Sequence, residues 1–284
     1  MRATQNSLLS LHSAVFILGI TALFSKFIAL SALDITLIRS IFACIALALF
    51  TVYLKESLLL NKPRDYFIVF IPGALLASHW VTFFYSMQIS SVAIGVIALY
   101  TYPVITVFLE PLFHGERPHI TDILSAAIVF FGIYLMTPDF SFSNQVTQGI
   151  AWGILSALLF SLRNIIQRRY FSHQPARQAL FYQSLVVVIL LLPFSGNNID
   201  SFTKWQWSQL FILGVFFTAL PHTLLAYSLR HLKAKTAGLI GCLQVVYATV
   251  FATFLLNEFP DASIITGGTL VVSAAIYESY IAHK

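Results

Sequence analysis

Charge is what this chain has least of. Asp, Glu, Lys and Arg make up 10% of it, against 58% hydrophobic residues and a mean hydropathy of +0.83. That leaves too few charged side chains to give every helix of a soluble protein a polar face. Cysteine is also scarce, and Cys44 and Cys242 both fall inside apolar runs, so a disulfide framework is excluded. There is no glycine-rich phosphate loop and no Cys/His cluster, and neither a metal nor another cofactor is expected. The run His114-Gly-Glu116-Arg-Pro-His119 does not have His-Glu-x-x-His spacing, and Pro118 interrupts the helix such a zinc site needs. No serine, histidine and acid stand at matched depth, which argues against an enzyme.

Long apolar runs are abundant. About 20 such residues cross a bilayer as a helix, and ten stretches qualify: 8–31, 35–54, 66–87, 91–113, 119–137, 149–170, 178–194, 208–230, 236–257 and 262–281. Their unbroken interiors exclude the alternating strands of an outer-membrane barrel. The first is read as a retained helix rather than a cleaved signal, because it is long and contains Lys26. With the N-terminus inside, the inner connections collect Lys55, Lys62, Arg64, Arg117, Arg168, Arg169, Arg177, Arg230, Lys233 and Lys235. The outer ones hold Lys204 together with Asp34, Asp139, Asp200, Glu258 and Asp261. By the positive-inside rule the chain sits in a bacterial inner (plasma) membrane as a multi-pass protein with both termini cytoplasmic. Basic residues scattered over so many loops form no nucleic-acid surface.

Ten spans divide into five and five, as residues 1–140 and 141–284. An odd number per half makes the halves enter the membrane from opposite sides, the inverted repeat of many secondary transporters. The stretch Ala77–Glu116 has a relative 142 positions later: Tyr85-Ser86 matches Tyr227-Ser228, Glu116 matches Glu258, and Lys26 matches Arg168. The pairs Lys26/Arg168 and Glu116/Glu258 are read as boundary markers. Local signals place Asp34 as the cap of span 2, and Pro103 and Pro221 as breaks in spans 4 and 8 that free the carbonyls of Leu99 and Phe217. Small residues, Ala126 with Gly132 and Gly267, Gly268 and Ala274, mark spans 5 and 10 as packing helices.

Ionisable groups within a membrane are costly and therefore candidates for function. His79 and Trp80 in span 3, with Tyr100 and Tyr102 flanking Pro103, are placed on one side of a central cavity. Trp152, His222, Gln244 and Tyr247 form the other. Glu110 or His79 could carry a coupling proton, with an ion pair to an inner-loop base as the other reading of Glu110. Lys26 and Arg39 lie near the outer face and are expected to snorkel there beside Asp34, and Glu278 is expected at the interface.

The chain resembles the EamA-type permeases of the drug/metabolite transporter superfamily over nearly its whole length. The likeness rests on the ten-span plan, Arg39 early in span 2, Tyr85-Ser-Met-Gln-Ile-Ser-Ser-Val-Ala, and Pro103 followed thirteen positions later by Glu116. In the second half it rests on Tyr227-Ser-Leu-Arg-His-Leu-Lys-Ala, Gln244-Val-Val-Tyr and Leu-Leu-Asn-Glu258. Val245 stands where the family often has proline, and Leu18-Gly19 where tryptophan-glycine is common. The resemblance implies an all-α permease for amino acids or related amphipathic metabolites, often exporting them, with a cavity between spans 1–4 and 6–9. Its partners would be a small-molecule substrate and the lipid bilayer, as monomer or homodimer. The competing classes are a non-transporting receptor or scaffold, which would need a partner-binding tail or domain, and an intramembrane enzyme. Liposome counterflow separates all three.

Overall fold

The computed structural model describes residues 2–60, 62–114, 120–139, 141–171, 173–195, 199–228, 232 and 239–281. Regular structure among the described residues is helical throughout. The apolar helices, in chain order, are α1 (Gln5–Phe27), α2 (Ala32–Tyr53), α3 (Asp65–Ile89), α4 (Val92–Leu112), α5 (Ile120–Met136), α6 (Gln145–Phe171), α7 (Ala176–Phe194), α8 (Lys204–Leu225), α9 (Leu239–Leu256) and α10 (Ala262–Glu278). Eight of them are long and apolar enough to cross a membrane, while α5 and α10 are shorter. The 17 residues of α5 reach about 25 Å at 1.5 Å per residue, a little under the hydrocarbon thickness.

Local chemistry explains the ends and interruptions. Ser31, not Asp34, caps α2: its Oγ accepts the Asp34 N–H at 3.1 Å and donates to Asp34 Oδ2 at 2.6 Å. The shorter serine side chain, on extended backbone, reaches the orphan N–H that Asp34, already helical, cannot. Thr203 and Gln206 form a capping box at α8. Asp261 accepts from the Ile264 N–H at 2.8 Å and the Ser263 hydroxyl at 2.7 Å, which holds its carboxyl below the usual range. α4 breaks at Tyr100–Thr101 and resumes at Tyr102, as Pro103 requires. In α8 the disturbance sits one turn before Pro221, as a π-helical turn at Val215–Ala219. The Phe217 carbonyl that Pro221 cannot engage accepts instead from Thr21 Oγ1 of α1, at 3.0 Å.

The principal packings are nearly unchanged when the two halves are exchanged. α3 lies on α6 as α8 lies on α1, α3 on α7 as α8 on α2, and α4 on α6 as α9 on α1. α2–α7, α4–α9 and α5–α10 pair like with like. Each half thus completes its core only against the other. The outside is apolar as well: Phe67, Phe130 and Phe254 are among many large side chains left exposed, as a lipid-facing surface requires.

Since lipid is as apolar as leucine, helices here are held by close fit rather than by hydrophobic burial. A Cβ on Gly132 would come 2.7 Å from the Gly267 carbonyl oxygen, and Gly267 faces Gly132 in return. The small residues that mark spans 5 and 10 as packing helices thus meet one another, a pairing seen only in the fold. A second close contact uses Gly149 and Gly153 of α6, four residues apart on one face, set against Ser90 and Ala98. Here Ser86 Oγ also donates to the Gly149 carbonyl at 2.6 Å.

Candidate functional site

Four helices bring the interior polar groups together. His79 of α3 is buried, with Nδ1 2.7 Å from Ser156 Oγ and 3.1 Å from the Ser156 carbonyl of α6. Its ring lies between Phe83 and Phe160. Phe160 also meets Tyr102 edge-on at 5.0 Å, and Tyr102 meets Tyr100 at 5.7 Å. The Tyr100 hydroxyl donates to the Gly241 carbonyl and stands 3.2 Å from Gln244 Oε1. His79, Tyr102, Tyr100 and Gln244 therefore form one connected row across the two halves.

Trp80 and His222 form a second group, their rings 6.3 Å apart. His222 Nδ1 must carry the proton, because its partner is the Thr218 carbonyl at 2.7 Å, which can only accept. The remaining two expected site residues lie elsewhere. Trp152 is 38% exposed and packs edge-on against Tyr85. Tyr247 packs on Phe16 and over Gly19 of α1.

Arg39 departs most from expectation. It does not snorkel to the surface: it is 2% exposed, with its guanidinium 4.2 Å from the Trp80 ring centre and 4.4 Å from that of Phe84. α8 covers it, since the backbone carbonyl of Arg39 abuts Gly214. Its Nε and Nη2 have no hydrogen-bond partner, and neither does the buried Thr36 Oγ1 one turn earlier. Two cation–π contacts return about 1–2 kcal/mol each, whereas burying an ion costs several. The site as it stands is under-compensated. Arg163 of α6, which the sequence reading passed over, is a second interior cation: Nε and Nη2 donate to Gln183 Oε1 at 2.9 and 2.7 Å, and Nη1 to Asn164. Its signal was plain, a charged residue inside an apolar span.

Polar contacts also join the halves toward the two ends. At one, Lys26 Nζ donates to the carbonyls of Gln88 and Ser90 and lies 3.8 Å from Glu258. Lys26 is thus paired across the halves rather than snorkelling beside Asp34. Glu258 Oε2 accepts the Val92 N–H at 2.8 Å, which places a carboxylate on the N-terminus of α4. Asn257, in the left-handed region at φ 55°, turns the chain back so that Glu258 can reach it. A recess of 320 Å³, lined by Ser90, Ser91, Gln145 and Glu258 among others, opens beside this contact. At the opposite end Arg177 pairs with Glu56 at 2.9 Å, Asp65 accepts from His173 and Gln174, and Glu110 accepts from Arg168 at 3.0 Å. That pair takes the carboxylate of Glu110, its second sequence-based reading. Glu116 and His119 lie outside the described residues.

Glu278 is buried as well. It is 3% exposed and hydrogen-bonded to Ser125 near Asp122, so at the end of α10 it turns into the α5–α10 contact. Neither the 320 Å³ recess nor a 570 Å³ apolar groove between α2 and α8 is lined by any of the eight expected binding residues. Those residues touch one another or their neighbours, and polar pairs join the two halves at both ends. Tyr100→Phe should strand the Gly241 carbonyl and lower stability by about 1–3 kcal/mol, read as a lower unfolding midpoint in detergent. An unchanged midpoint would show the bond to be dispensable.

The model of the EamA-like transporter family matches residues 6–137 and again 147–279. The chain belongs to that family. Two EamA-like repeats therefore make up this membrane transporter, in keeping with the exchange symmetry of its packing. Its relatives include an S-adenosylmethionine uptake transporter of Rickettsia bellii, 24% identical over 90% of this chain and 86% of that one. Another is the pseudopaline exporter CntI of Pseudomonas aeruginosa, 23% identical over 74% and 73%. A solved structure described only as the crystal structure of a protein superposes with a TM-score of 0.64 at 15% identity, over 100% of this chain and 99% of that one. This last likeness shows the fold alone.

Proposed function

We propose that this EamA-like protein is a ten-span secondary transporter of the bacterial inner membrane, with both termini cytoplasmic. It would move a small amphipathic metabolite, an amino acid or related compound, by alternating access between two inverted five-helix halves. The observation that carries the reading is where the polar contacts lie. Lys26–Glu258, Tyr100–Gly241 and His79–Ser156 all join one half to the other. Contacts of this kind can break and re-form as the halves rock, which a seam of tight apolar packing cannot do. Lys26, Ser90 and Glu258 meet at one end, and Glu56, Asp65, His173 and Arg177 at the other, as alternate threading of the helices demands.

In this reading His79, Trp80, Tyr100, Tyr102, His222 and Gln244 form the substrate path, and Glu110 or His79 carries a coupling proton. Outward transport is the proposed direction. An uptake transporter and an exporter both stand among the relatives, so vesicles of known sidedness supply the test. Purified protein in liposomes, screened with labelled amino acids, amines and nucleosides, should show saturable counterflow of at least one. Binding without exchange would favour a receptor, and chemical alteration of the compound an enzyme. Flux that does not change between about pH 6 and 8, where an imidazole titrates, would remove the proton from the mechanism.

A further inference from the structure

Arg39 is a buried cation whose missing partner can be named from its geometry. Nε and Nη2, the two unpartnered nitrogens, share one edge of the guanidinium, and that edge is the fork that grips a carboxylate through two parallel hydrogen bonds. Trp80 and Phe84 pack against the group at 4.2 and 4.4 Å and offer it no hydrogen-bond acceptor, so the Nε–Nη2 edge is what remains for a ligand. Thr36, three residues earlier and hence on the same side of α2, adds a buried hydroxyl that also lacks a partner. Among the described residues no acid pairs with Arg39. The other interior arginine differs: Gln183 and Asn164 already satisfy the fork of Arg163.

The geometry points to Arg39 as the carboxylate-binding residue of the transport site: the cargo carries a carboxylate that seats side-on against Nε and Nη2, assisted by the Thr36 hydroxyl. Trp80 packs against the guanidinium and its ring lies 6.3 Å from that of His222, so the rest of the cargo would lie along the Trp80–His222 side. This inference rests on the transporter reading and sharpens it to a chemical class.

The test pairs each acid with its uncharged amide. The full chain in neutral detergent is titrated with acetate and benzoate, and with acetamide and benzamide, while thermal unfolding is followed. Both acids should raise the unfolding midpoint in a saturable way and both amides should leave it unmoved. Arg39→Gln should weaken benzoate binding about 10–100-fold, the range for loss of a charge-assisted hydrogen-bonding partner. Arg39→Lys, which keeps the charge without the fork, should fall between. Acids and amides acting alike on the unaltered protein, or no effect from either, would overturn the assignment even if both variants fail to fold. So would full benzoate binding by Arg39→Gln. Added phosphatidylglycerol that displaces benzoate would assign the site to a lipid phosphate and overturn it as a cargo site. Counterflow that is equal for an amino acid and its amide sinks this inference alone. Absence of all counterflow, with acid-selective binding retained, sinks the transport reading and leaves the carboxylate site standing.

Discussion

Glu258→Gln is expected to speed thiol modification at the Lys26 end of the molecule by about tenfold. Glu258 performs two tasks there, neutralising Lys26 and accepting the Val92 N–H at the start of α4. Charge-assisted hydrogen bonds are worth about 1.5–3 kcal/mol. Lys26 and Glu258 are 26% and 21% exposed, so solvent screening reduces this to roughly 1–2 kcal/mol, or about 5–30-fold in an opening equilibrium. The reporter is Ser25→Cys, a nearly isosteric change at a buried position beside Lys26, in a background with Cys44 and Cys242 replaced by alanine. A membrane-impermeant thiol reagent supplied from that side measures the opening. Glu258→Asp should lie between the two. Equal rates in the parent and Glu258→Gln would mean that this contact does not hold the end shut.

The second large effect concerns the face by which α6 meets the first half. A Cβ at Gly153 would stand 2.5 Å from that of Ala98 and 3.2 Å from Ser86 Oγ, and one at Gly149 would collide with Ser90. Neither clash can be relieved by swinging a long side chain aside. Gly153→Ala should cost about 1–3 kcal/mol by overpacking, and Gly153→Leu should remove most monodisperse protein from size-exclusion chromatography. Gly241→Ala is the internal control, since the nearest atom to its new methyl would be the Tyr100 hydroxyl at 3.9 Å. If Gly153→Ala and Gly241→Ala unfold at the same temperature, the two helices tolerate more separation than the close packing implies.

Much of the architecture was legible because the bilayer imposes a length. Runs of about 20 apolar residues, broken by Pro, Gly and charge, marked out the helices to within a few residues. The odd number of spans expected per half and the 142-residue offset pointed to two equivalent units. Small residues marked α5 and α10 as packing helices, though only the fold showed that they pack on each other. Pro221 announced a carbonyl in search of a donor, though only the fold revealed that Thr21 provides it. Lys26 and Glu258 were recognised as end markers, but nothing in the chain tied one to the other across 232 positions.

The direction in which a side chain faces was another matter, and Arg39 is the plainest case. Its depth can be read from the sequence: seven residues into α2 is about 10 Å along the axis. Its orientation cannot. In a soluble protein one face of a helix is polar and the other apolar, and that contrast reports which way a residue points. In a membrane the lipid side and the protein side are both apolar, so α2 offers no such contrast, and Arg39, expected to snorkel outward, is instead buried. The sequence by itself determined that this chain crosses a bilayer many times as a duplicated helical unit, because length and hydropathy suffice for that. Only the tertiary structure decided that Arg39 faces inward against Trp80 and Phe84 with an unpartnered hydrogen-bonding edge, because lateral packing between helices leaves no periodic trace when both sides of the helix are greasy.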